Sequence, residues 1–118
     1  MYKLKYAKDI NVTYGLIKYD AGGCEINEKP LRVIIEIETL FLAGEQVAEI
    51  EMLESIITKY DHSCLSSFFP KPNMEILSSR LYDEIREKFI ESYIKEGLGY
   101  PKMVITLIGE NKTIEYSK

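Results

Sequence analysis

The one histidine of the chain, His62, directly follows Asp61 in the run Tyr60-Asp61-His62-Ser63-Cys64-Leu65. Imidazole is the side chain whose unperturbed pKa lies near neutrality, so a carboxylate beside it makes a candidate proton shuttle. The plainer alternative is a loop-capping pair, with Asp61 satisfying backbone donors and His62 turned to solvent or packed on the following helix. Spacing alone leaves both open. Neighbours in a turn do not usually face each other, so Asp61 need not be the group that orients His62. The two cysteines, Cys24 and Cys64, have no CxxC spacing and no histidine cluster around them. They are expected to be free thiols, Cys64 as a small packed hydrophobe. Glu110, in Glu110-Asn111-Lys112, is a carboxylate that could meet two parallel N–H donors, or simply a solvated hairpin tip. Glu75 reads first as a helix-start charge and second as a ligand.

These groups must be held by elements that the hydrophobic pattern outlines. Residues 2–20 read as a strand pair or one long bent strand, and Asp20-Ala21-Gly22-Gly23 as a turn. In residues 31–42 the alternation of Val33, Ile35 and Ile37 with Ile34, Glu36 and Glu38 predicts a strand with one apolar face. From 45 to 60 the period becomes helical, with Ile50, Leu53, Ile56 and Ile57 on one stripe. An irregular loop fills 61–72. Asn73 is the expected N-cap of a second helix running to about residue 96, with Leu77, Leu81, Ile85, Phe89 and Tyr93 on its buried stripe. Gly97, Gly99 and Pro101 stop it. Strands at 102–109 and 113–116 flank a tight turn at 110–112. The order β-β-α-α-β-β predicts an α+β fold: an antiparallel sheet with two helices on one face. The acidic runs are read as solvated faces with ion pairing along the helices.

The 118 residues, with 46% hydrophobic side chains, are expected to form a single domain spanning 1–118, with a small core that oligomerisation would help to cover. Nine tyrosines and no tryptophan suit subunit contacts that need a polar end. A net charge of -4 argues against a sequence-independent nucleic-acid binder. No apolar run approaches a membrane span, and the first residues lack the apolar core of a signal peptide, so a cytoplasmic protein is expected.

Three segments in order resemble the 6-pyruvoyltetrahydropterin synthase and 6-carboxytetrahydropterin synthase family. They are Val47-Ala48-Glu49-Ile50-Glu51-Met52-Leu53, Tyr60-Asp61-His62-Ser63-Cys64-Leu65-Ser66 and Pro72-Asn73-Met74-Glu75-Ile76-Leu77-Ser78. The resemblance implies a T-fold closed into an oligomeric barrel, a homo-oligomer and most simply a hexamer. It also implies a pterin or similar small molecule as ligand, with no nucleic acid or membrane partner. By the same likeness Cys24, Asp61 and His62 would carry proton transfer in a carbon–oxygen lyase acting on a dihydroneopterin triphosphate derivative. Glu110, with Asn73 and Glu75, would bind the substrate. The family's zinc histidines would fall on Tyr14, Asn27 and Lys29, which cannot supply a tetrahedral set, so no metal or other cofactor is expected. Without it, a non-catalytic relative used for ligand binding or assembly is the competing expectation.

Overall fold

In the computed structural model the described residues are 2–13, 19–20, 23–24, 28–39, 46–70, 73–95 and 102–118. Tyr14, Asn27, the turn at 21–22 and the helix stop at 97–101 lie outside them, as do the side chains of Cys24, Phe89 and Tyr93.

Strand β1 (Tyr2–Thr13) is followed by two short strands, β2 (Tyr19–Asp20) and β3 (Gly23–Cys24), and by the long β4 (Lys29–Thr39). Helix α1 (Gln46–Thr58), the short strand β5 (Ser63–Cys64), a single 3-10 turn (Leu65–Ser67) and helix α2 (Met74–Lys95) come next. Strands β6 (Lys102–Ile108) and β7 (Thr113–Tyr116) close the chain. The main sheet has the order β5-β1-β4-β6-β7, while β2 and β3 pair only with each other. Every pairing among β1, β4, β6 and β7 is antiparallel, and β5 joins the edge of β1 in parallel. The fold is therefore α+β as expected, with a five-stranded mixed sheet in place of four antiparallel strands. The expected loop at 61–72 is corrected in its first half, which holds β5 and the 3-10 turn.

Alternation puts Ile10 and Val12 of β1, Leu31, Val33, Ile35 and Ile37 of β4, and Met103, Ile105 and Leu107 of β6 on one buried face. Against that face lie Leu53, Ile56 and Ile57 of α1 and Leu77, Leu81 and Ile85 of α2. Helix α1 packs on β1 and α2, and α2 packs on β6 and β7. Ile50 departs from its expected stripe: it is exposed, so the buried stripe of α1 as described begins at Leu53. The opposite sheet face carries charge, with Lys3 2.9 Å from Glu36 and 3.7 Å from Glu38 on the neighbouring strand.

Several acidic groups pair between elements. Lys8 of β1 meets Glu54 of α1 at 2.9 Å, Lys59 meets Glu84 of α2 at 2.7 Å, and Lys118 meets Asp83 at 2.9 Å. No described helix is long and apolar enough to cross a membrane.

Candidate functional site

The turn that carries His62 is the frayed end of α1. Past Thr58 the helical bonds shorten in register, with Tyr60 N donating to Ile57 O at 3.1 Å and Asp61 N to Thr58 O at 3.1 Å. His62 then takes φ 56°, the left-handed conformation that usually falls to glycine at a helix end. A histidine there costs backbone energy that its surroundings must offset. They do so through the peptide groups of Asn11: His62 N donates to Asn11 O at 2.7 Å, and Asn11 N donates to Asp61 Oδ1 at 2.9 Å. This clamp sets the register in which Ser63 and Cys64 run beside Val12 and Thr13.

Beneath the turn, the phenol of Tyr60 is buried and donates to Glu84 of α2. Burial, and then the Glu84 carboxylate, push the ionisation of that phenol well above its ordinary range. The Tyr60 ring meets Phe68 edge-on at 4.9 Å and stacks on Phe69 at 6.0 Å. The base of the turn is thus tied to both neighbouring elements.

The ring of His62 points toward a carboxylate that sequence reasoning did not single out. Its Nδ1 lies 3.2 Å from both oxygens of Glu28, while its Nε2 is 3.7 Å from Asp61 Oδ1. Glu28 immediately precedes β4, and the pair reaches across β1, which separates β4 from β5. Only the register of these three strands could have found it. The His62 side chain is 65% exposed, so the pair adds little stability; what it supplies is direction.

Glu110 lies at another part of the same sheet end. It lines an open groove of about 290 Å³ formed by Asp9, residues 30–32 and residues 108–110. Arg32 Nη1 stands 3.9 Å from Asp9 Oδ1 within it, and the Glu110 carboxylate is in no salt bridge among the described residues. The groove and the Glu28–His62 pair share the ends of β1 and β4.

Asn73 and Glu75 are already engaged. Asn73 Oδ1 accepts from Ile76 N at 2.7 Å, the expected cap. The Lys112 ammonium bonds Glu75 and, with the residue's own backbone N–H, holds its carboxyl below the usual range. Gly109 completes this contact: a Cβ there would come within 3.3 Å of Met74 Sδ, at the first residue of α2. Asn73 caps α2 locally, while Glu75 docks the start of α2 on the β6–β7 turn, at the same sheet end as Glu110.

The cysteine expectation is corrected. Cys64 is half-buried and held in a disulfide, and no described cysteine is free. The sequence contains one other cysteine, Cys24, whose backbone pairs with Tyr19. No group of three or more His, Cys, Asp or Glu side chains suited to a metal occurs among the described residues. Lys29, exposed at the start of β4, offers an ammonium group rather than a ligand lone pair.

Comparison with protein-family models finds no match, and comparison with curated proteins finds no significant one.

Proposed function

We propose that this chain is a 6-pyruvoyltetrahydropterin synthase-like protein of the T-fold type, binding a pterin or related heterocycle where subunits meet. The observation that carries this reading is the layout of one sheet end. The four longer strands follow in chain order β1-β4-β6-β7, with both helices inserted between β4 and β6. At the end where β1 and β6 finish and β4 begins stand His62, Glu28 and the Glu110 groove. A heterocycle whose edge presents two N–H donors suits the Glu110 carboxylate, and an exposed imidazole at the same sheet end suits proton transfer. In the lyase form of the proposal, the substrate is a dihydroneopterin triphosphate derivative and His62 moves the proton.

A second reading, ligand binding or assembly without catalysis, is favoured by the disulfide at Cys64 in a chain with two cysteines. A thiol base must be reduced and deprotonated to act.

Assembly belongs to the same proposal. Strand β5 pairs only with Val12 and Thr13, and Asp61 and His62 bond Asn11, so the outer edge of β1 over residues 2–10 has no partner strand among the described residues. Such an edge is completed by joining another sheet, and a hexameric homo-oligomer would do this. Light scattering that returned a mass of 13.7 kDa at micromolar concentration would end that part of the proposal.

Ligand binding is tested by titrating the protein with 7,8-dihydroneopterin and following pterin fluorescence. Saturable binding is expected, weakened at least about tenfold by Glu110→Ala, in line with a lost charge-assisted hydrogen bond. Absence of saturation at millimolar ligand would overturn the reading.

A further inference from the structure

We infer that Glu28, and not the adjacent Asp61, is the group that orients the His62 ring, as a positioning residue of the proposed site. The inference rests on the reading of His62 as the proton-carrying group of that site. Three observations lead to it.

The Asp61 carboxylate is already committed. Its Oδ1 accepts from Asn11 N at 2.9 Å and stands 3.7 Å from His62 Nε2, beyond hydrogen-bond range. Glu28, by contrast, straddles His62 Nδ1 with both oxygens at 3.2 Å. Glu28 and Asp61 are the only carboxylates within ion-pair reach of the ring among the described residues.

The chemical consequence concerns which nitrogen carries the proton. A carboxylate can only accept, so in the neutral ring Nδ1 holds the hydrogen and donates it to Glu28. The lone pair is then on Nε2, which has no hydrogen-bond partner among the described residues and belongs to a ring that is largely exposed. A ligand entering the sheet end would therefore meet Nε2 as the proton acceptor, with Glu28 behind the ring supporting the charge that forms. This is the orienting role that a carboxylate plays behind a general-base imidazole, supplied here from across β1.

Because His62 is the only histidine, a long-range proton–nitrogen NMR correlation reports its ring without ambiguity. The wild-type protein, at a pH where the ring is neutral, is expected to show mainly the Nδ1–H tautomer. Glu28→Ala should shift the ring to Nε2–H, the form a free imidazole side chain prefers in water. Asp61→Asn, which keeps an oxygen for Asn11 N, should leave Nδ1–H in place. An amide fingerprint establishes that each variant is folded, and the wild-type tautomer stands as a test by itself if a variant is not. An Nε2–H wild type, an unchanged Glu28→Ala spectrum, or a switch in Asp61→Asn overturns the assignment. Pterin titration is read separately: failure to bind with the Nδ1–H tautomer in place would sink the proposed function and leave the orientation of His62 standing.

Discussion

The phenol of Tyr60 donates its hydrogen to the carboxylate of Glu84 from beneath the turn that carries His62. Because Lys59 bonds the other oxygen of Glu84 at 2.7 Å, consecutive residues in the turn after α1 grip one carboxylate on α2. The candidate site is thereby fastened to the helical layer as well as to the sheet.

Replacing Tyr60 with Phe deletes that donor and keeps the ring packed against Phe68 and Phe69. A buried hydrogen bond to a charged acceptor is worth about 1.5–3 kcal/mol, so Tyr60→Phe is expected to lower unfolding free energy by that order. Urea unfolding should show a lower midpoint with an unchanged slope. An unaltered midpoint would show that the bond contributes nothing net.

The same phenol predicts an alkaline limb. Its ionisation is raised in the folded protein above the ordinary value of 10.0, so the folded state keeps a proton that the unfolded state gives up. The stability it confers is complete below that ordinary value and falls as pH rises above it. Tyr60→Phe should flatten the loss of stability above about pH 10, measured by denaturant titration across the alkaline range. Equal slopes for the two proteins would contradict the raised ionisation. Glu75 runs the other way: its lowered ionisation gives stability that is present above its ordinary value of 4.5 and lost as pH falls through the folded value.

Left-handed backbone at His62 makes a comparison of two truncations informative. Both His62→Gly and His62→Ala remove the ring, but only glycine accepts φ 56° without a Cβ clash. The glycine variant is expected to be the more stable by about 1 kcal/mol, by thermal or urea unfolding. An alanine variant of equal or greater stability would mean that the turn relaxes once the imidazole is gone.

Metal binding offers a direct check on the proposed resemblance to the pterin synthases. The protein is expected to hold no stoichiometric zinc after dialysis against it, because a catalytic zinc needs three protein ligands and the positions that the proposed resemblance would assign to them read Tyr14, Asn27 and Lys29. Elemental analysis decides the matter. About one tightly held zinc per chain would show that the first hairpin is aligned wrongly and would restore the metal-dependent lyase.

What the sequence made legible was local. The alternation of β4, the cap at Asn73 and the tight turn before β7 are each written within a few residues, and each is found where expected. Helix α1 shows the limit of periodicity, since Ile50 fits the stripe and still faces solvent. Strand β5 and the Glu28–His62 pair were invisible for a different reason. Both arise from where β1, β4 and the 61–64 segment lie relative to one another, a register that no short window contains. The state of Cys64 was misread because composition speaks to thiol chemistry in a compartment and not to which sulfurs the fold brings together.

The clamp on Asn11 bears on how such a site can persist while its sequence drifts. Both of its bonds use the main chain of residue 11, one through N–H and one through C=O. Nearly any side chain could replace asparagine without loosening the turn, and proline, which lacks the N–H, is the exception. An alignment scored on side chains would see a freely varying column at the very position that fixes the histidine.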